Sequence, residues 1–62
     1  YMLGLKNCSS VSVSGWKIDS PIETFVKVNG GKSNDIMVYN NNGIFSKKIQ
    51  VGNDVAKSAI IE

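Results

Sequence analysis

SSVSVSGWKIDSPIETFVKVNGGKSNDIMVYNNN, Ser9 to Asn42, is the stretch whose reading decides the fold. Val11 and Val13 alternate with serines, Val26 and Val28 flank Lys27, and Ile36 and Val38 flank Met37. Period-two alternation of apolar and polar residues marks a strand with one buried face. Gly, Ser, Asn and Pro separate the alternations, so the stretch reads strand, turn, strand, turn, strand. A rival reading sits at Ser20-Pro21, where Ser20 as N-cap, Pro21 at the first helical position and Glu23 two residues on resemble a helix start. Thr24-Phe25-Val26-Lys27-Val28 is rich in β-branched and aromatic residues, which favours strand.

Outward from that stretch the pattern continues. Leu3 and Leu5 alternate before the Asn7-Cys8-Ser9-Ser10 turn, and Trp16 and Ile18 alternate after Gly15. Asn40-Asn41-Asn42-Gly43 is a turn built from residues that tolerate positive φ. Ile44-Phe45 and Ile49-Gln50-Val51 are further short strands, with Lys47-Lys48 as an edge guard or a hairpin tip. Val55 to Glu62 has the spacing of a short helix after Asn53 or Asp54, while Ala59-Ile60-Ile61 equally suits a strand.

A repeat underlies these strands. Val11-x-Val13 returns as Ile36-x-Val38, Leu3-x-Leu5 as Val26-x-Val28, and Lys32-Ser33 as Lys57-Ser58. The offsets are about 23–25 residues, inside the roughly 20–50 residue range of solenoid repeats. Asn7 and Asn34 precede the two alternations, and asparagines in turns can pass hydrogen bonds from one repeat to the next. The expected inward residues are Leu3, Leu5, Val11, Val13, Trp16, Ile18, Phe25 or Val26, Val28, Ile36, Val38 and Ile44. Ser12, Ser14, Lys17, Asp19, Lys27, Met37 and Tyr39 are expected outward. A small antiparallel barrel or sandwich would give similar turn spacing.

Size bounds the rest. The chain has 62 residues and one cysteine, Cys8, so it holds one small domain without an internal disulfide. A core this small supplies about 3–5 kcal/mol at best. With no His and a single Cys there is no zinc site, and nothing calls for a metal or another cofactor. Oligomerisation, or completion by the remainder of a longer chain, is the expected source of stability. Tyr1 in place of Met, and the apolar Ala59-Ile60-Ile61 near the other end, give the expectation that both ends are cut or lie against a neighbour.

The seven basic residues are all lysines and are scattered, with one adjacent pair, and the net charge is +2. Nucleic-acid binders concentrate basic residues in a patch, usually with Arg, so no nucleic-acid partner is expected. No apolar run approaches the roughly 18 residues of a transmembrane helix. Neither end has the pattern of a signal or transit peptide.

Asn7-Cys8-Ser9-Ser10-Val11-Ser12-Val13-Ser14-Gly15-Trp16-Lys17-Ile18 resembles a rung of right-handed parallel β-helix proteins, the pectin-lyase-like group. Ser33-Asn34-Asp35-Ile36-Met37-Val38-Tyr39-Asn40-Asn41 resembles the next rung. The group includes polygalacturonases, pectate lyases and bacteriophage tailspikes. The resemblance implies an all-β fold of right-handed parallel β-helix rungs, about two to two and a half coils, completed by other chains or by the rest of a parent protein. Rungs are expected over residues 1–45, and an irregular or intertwined segment over residues 46–62.

The Asn-x-Asp, Gly-Asp-Asp and Gly-His-Gly motifs of polygalacturonases are absent, and no calcium-binding carboxylate cluster with a basic partner is visible. The tailspike type remains. It implies a homotrimer that recognises bacterial surface polysaccharide, in a virion tail or extracellular setting, within a parent that could be an endo-glycosidase or lyase. A rung of a secreted pectin-lyase-like enzyme is one alternative. A free-standing small β domain that binds a protein partner is the other.

A glycosidase needs two carboxyl groups about 5–9.5 Å apart, depending on stereochemistry. Asp19 and Glu23, flanking Pro21, are the candidates, and solvated turn carboxylates are the plainer reading of both. Trp16, Tyr39 and Asn41 are the candidates for glycan contact, through ring stacking and amide hydrogen bonds. Core packing for Trp16 and turn formation for Asn41 are the plainer readings. Cys8 lacks the histidine that would activate a thiolate, so it reads as a small space-filler.

Overall fold

The structure, a computed structural model, describes residues 1–61. Six strands occur in the order β1 (Leu3–Lys6), β2 (Ser9–Val13), β3 (Ile22–Asn29), β4 (Asn34–Val38), β5 (Phe45–Val51) and β6 (Ile60–Ile61). They form two three-stranded sheets, β1-β3-β5 and β2-β4-β6, so successive strands alternate between sheets. All four strand pairings are parallel. This all-β arrangement of two small parallel sheets excludes both the antiparallel barrel and the helix at Pro21. The only helical element among the described residues is a 3-10 turn at Lys57–Ala59. No helix among them is long and apolar enough to cross a membrane.

The registers carry the sequence repeat. In the first sheet Leu3 lies beside Val26 and Val26 beside Ile49, while Leu5 lies beside Val28 and Val28 beside Val51. In the second, Val11 pairs with Ile36 and Ile36 with Ile60. Like therefore lies on like in three apolar columns. Parallel strands require burial, since their crossovers cover the sheet faces and the strands hydrogen-bond on both sides. The middle members satisfy this: Val26, Val28 and Ile36 are each 0% exposed. Val13, Phe25, Val38, Val55 and Ala59 complete the buried core.

The repeat as read from sequence is correct for the alternations and shifted at the turns. Asn7 does not correspond to Asn34, which lies next to Ser9 in register. Asn7 follows the Lys6–Asn29 pair, which sets it beside Gly30. Lys57 stands one residue out of step with Lys32, because Ile60 follows Ile36 by 24 residues and Ile36 follows Val11 by 25.

Four further expectations change. Ile44 was expected inward and is 72% exposed, while its neighbour Phe45 packs on the core. The two point to opposite sides of the chain, and Phe45 offers the larger apolar surface. Trp16 is 37% exposed, at the rim of the core rather than inside it. Phe25 and Val26 are both buried, as is Thr24, so alternation breaks at the centre of β3. Of the span from residue 46, expected to be irregular or intertwined, the first part is regular, because β5 runs through Val51 and pairs with β3. Its later part combines the two readings offered for it, a single 3-10 turn running into the two-residue strand β6.

Left-handed backbone recurs at matching points of the repeat. Ser10 (φ 56°) and Asp35 (φ 54°) stand between the Ser9–Asn34 and Val11–Ile36 pairs. Asn7 (φ 53°) matches Gly30 (φ 97°), and Gly15 (φ 78°) matches Asn40 (φ 53°), with Gly15 N donating to Asn40 O at 3.1 Å. The chain thus bends at the same places in consecutive repeats. A left-handed residue costs about 1–2 kcal/mol unless it is Gly, Asn or Asp. Serine at position 10 is the one outside that set.

Ser10→Val places a β-branched side chain in left-handed backbone and is expected to destabilise by about 1–2 kcal/mol. Ser12→Val, on the same strand and also exposed, is expected to be neutral within about 0.5 kcal/mol. Urea denaturation of both variants reads the contrast.

Candidate functional site

Three of the residues singled out in the sequence meet at one corner. Val13 ends β2 and Val38 ends β4, and the chain leaves both at the same place. Tyr39 N donates to Val13 O at 3.0 Å. Beyond the paired left-handed residues Gly15 and Asn40, Asn42 N donates to Trp16 O at 2.8 Å and Ile18 N to Asn42 O at 2.9 Å. Lys17 and Asn42 form an isolated parallel bridge there. The run Trp16 to Asp19, expected as a strand, contributes only this bridge.

Asn41 holds the corner together. Its Oδ1 accepts from Trp16 N at 3.0 Å, and its Nδ2 donates to Val13 O at 3.0 Å and to Tyr39 O at 2.9 Å. One amide therefore links the backbones of Trp16 and Tyr39 on consecutive repeats. Both of its donor hydrogens are occupied by backbone carbonyls. Asn41 thus serves the turn, and its Oδ1 keeps a second lone pair as an acceptor. Its neighbours Asn40 and Asn42 are exposed and carry the accessible amides of the corner.

The two aromatic candidates are both accessible, Trp16 at 37% and Tyr39 at 41%. Trp16 is anchored from below. Its ring meets Phe25 edge-on, with centroids 5.6 Å apart and planes at 71°. Phe25 stacks on Phe45 at 5.1 Å and 12°. This file of rings sets the orientation of the indole from the core outward, and such pairs add about 0.5–1.5 kcal/mol beyond burial. The corner thus carries a partly exposed indole seated on the core, an exposed Tyr39 and the exposed amides of Asn40 and Asn42.

Of the carboxylate candidates, Asp19 directly follows Ile18 at the edge of this corner and Glu23 lies further on, in β3. Asp19 and Glu23 are both exposed, one before the Pro21 turn and one in β3. Among the described residues no three His, Cys, Asp or Glu side chains are grouped to hold a metal ion. Cys8 is half-buried, and its thiol donates to Lys6 O at 3.4 Å.

A second polar corner, which the sequence reading missed, lies between β3 and β4. Asn7 Oδ1 accepts from Lys32 N at 3.2 Å, and Asp54 Oδ1 accepts from Gly30 N at 3.3 Å. Ser33, buried, donates through Oγ to Asn29 O at 2.8 Å. A Cβ on Gly30 would overlap the Asn7 carboxamide and come within 2.7 Å of Asn7 N. The signal was present as an Asn followed 23 residues later by a Gly. It could be read only once the register was known.

Comparison with family models, with curated proteins and with solved structures finds no match to this chain.

Asn41→Ala removes three hydrogen bonds at once and is expected to destabilise by about 1–3 kcal/mol, from a net contribution of roughly 0.5–1.5 kcal/mol for each bond. Asn42→Ala, one residue on and exposed, should fall within about 0.5 kcal/mol of the parent. Thermal melts of the two variants side by side check this.

Proposed function

We propose that this chain is a structural and attachment segment of a right-handed parallel β-helix protein of the trimeric tailspike type, recognising bacterial surface polysaccharide at a virion tail or outside the cell. The observation that carries the proposal is the twofold recurrence of parallel register in both sheets, with bends at matching left-handed residues. A chain that returns to the same sheet in parallel does so with a right-handed crossover in about 98% of known cases. Two such returns in succession would wind β1, β2 and the Lys17 bridge into one coil, and β3, β4 and the Asn42 bridge into the next. An asparagine bonded between coils, as Asn41 is, suits that architecture.

Attachment rests on the corner after β2 and β4. Trp16 and Tyr39 offer ring faces to a saccharide, and Asn40 and Asn42 offer amides to its hydroxyls. Asp19 and Glu23 are exposed on either side of Pro21, and in this proposal neither acts as an acid or base: the segment's role is binding. Catalysis, where the parent has it, belongs to other coils.

The test uses the single tryptophan as reporter. A panel of purified O-chain and capsular polysaccharides is titrated while Trp16 emission is followed. Saturable change with one or more of them, lost by at least tenfold in affinity in Tyr39→Ala with an unchanged circular dichroism spectrum, supports the reading. Emission indifferent to the whole panel, from a chain that light scattering shows to be a monomer, overturns it.

A further inference from the structure

The dipeptide Asn-Gly occurs twice, at Asn29-Gly30 and at Asn42-Gly43. A glycine after asparagine leaves its own backbone nitrogen unshielded, because no Cβ stands beside it. That nitrogen can reach the side-chain carbonyl of the asparagine before it. The fold treats the two pairs in opposite ways.

Asn29-Gly30 is closed. Asn29 ends β3, and its carbonyl accepts from Asn7 N at 3.0 Å and from Ser33 Oγ at 2.8 Å. Gly30 is buried, and its nitrogen donates to Asp54 Oδ1 at 3.3 Å. The Asn29 carboxamide packs on Gly52, where a Cβ would come within 2.5 Å of its Oδ1. An N–H committed to a carboxylate and shut away from water is a poor nucleophile.

Asn42-Gly43 is open. Both residues are exposed and lie outside the named strands. The Asn42 backbone is fixed by the preceding repeat, its N donating to Trp16 O at 2.8 Å and its O accepting from Ile18 N at 2.9 Å. Among the described residues neither Gly43 N nor the Asn42 carboxamide has a hydrogen-bond partner.

We infer that Asn42-Gly43 is a self-modifying site, at which the Gly43 nitrogen attacks Asn42 Cγ and the side chain loses its amide. Gly43 N gives its proton to solvent base and bonds to Cγ. The Cγ–Nδ2 bond breaks, and Nδ2 leaves as ammonia with a proton from water. The five-membered imide so formed takes up water at either carbonyl. Opening at Cγ gives aspartate, and opening at the main-chain carbonyl gives isoaspartate. The net reaction consumes one water and releases one ammonia, with no oxidation or reduction.

The two products act differently on the corner. Aspartate keeps the backbone and adds a negative charge beside Lys17, the bridge partner of Asn42. Isoaspartate diverts the main chain through Cβ and Cγ, lengthens it by one carbon, and turns the carbonyl bonded to Ile18 N into a free carboxylate. Gly43 has little room to move, since a Cβ there would stand 2.8 Å from Phe45 and 3.1 Å from Ile18. Phe45 stacks on Phe25, which seats Trp16, so isoaspartate at position 42 displaces the indole. The modification is independent of glycan binding.

The test ages the chain in mildly alkaline buffer and maps its peptides by mass spectrometry, with aspartate and isoaspartate resolved by chromatography. In the folded chain, conversion at Asn42 is expected to run at least about tenfold faster than at Asn29, where attack waits on local opening. In urea, which exposes both pairs, the two rates are expected to converge. Asn42→Gln, whose longer side chain needs a six-membered ring, is expected to leave position 42 unconverted. Trp16 emission should shift as the parent chain ages and stay constant in Asn42→Gln. Equal rates at Asn29 and Asn42 in the folded chain overturn the inference, as does an Asn42 that converts in urea and not in the folded chain. Unchanged emission from a chain rich in isoaspartate overturns the coupling to Trp16.

Discussion

Every strand in this chain depends on having a like strand directly beside it. A parallel strand cannot bury itself against a hairpin partner, and its neighbour arrives only after the chain has passed through another sheet. Leu3, Val26 and Ile49 come from three separate passes, yet they form one apolar column. None of the passes has a core of its own. The buried residues Val26, Val28 and Ile36 belong to the middle pass because it alone has neighbours on both sides. Stability here is a property of stacking between passes, which is why the core is complete at the centre and open at the ends.

The polar residues serve the same requirement. A column of like residues survives only if the chain turns at the same point on each pass, and the left-handed residues at matching positions provide that. Asn41, Asn7 and Asp54 then accept or donate across passes and prevent one from sliding along the next. A one-residue slip would turn every apolar side chain to the wrong face. The amides are therefore part of what specifies the register, and Gly30 is a glycine because the Asn7 carboxamide occupies the space a Cβ would need.

Much of this was legible in the sequence. The alternations at Val11, Val26 and Ile36 located the strands, and their spacing implied that equivalent residues lie side by side. What escaped was local competition. Ile44 and Phe45 are both apolar and adjacent, so alternation alone left open which would face in, and the ring prevailed by stacking on Phe25. Trp16 fits an inward pattern, but the chain near it forms only one bridge, and the indole settles at the rim. The Asn7–Gly30 match was hidden because a motif search aligns identical residues, while stacking rewards a large residue next to a small one. Of the candidate site, the sequence identified Trp16, Tyr39 and Asn41 without their proximity. The structure joins them and assigns Asn41 to the corner itself.

The most direct test of the stacked parallel register is the pattern of nuclear Overhauser effects in a solution NMR spectrum of the chain. The account predicts methyl contacts along Val11–Ile36–Ile60 and Leu5–Val28–Val51, with the interstrand amide pattern of parallel strands. Close Hα–Hα contacts between facing strands, the mark of antiparallel pairing, or the absence of any Val11–Ile36 contact, would contradict it.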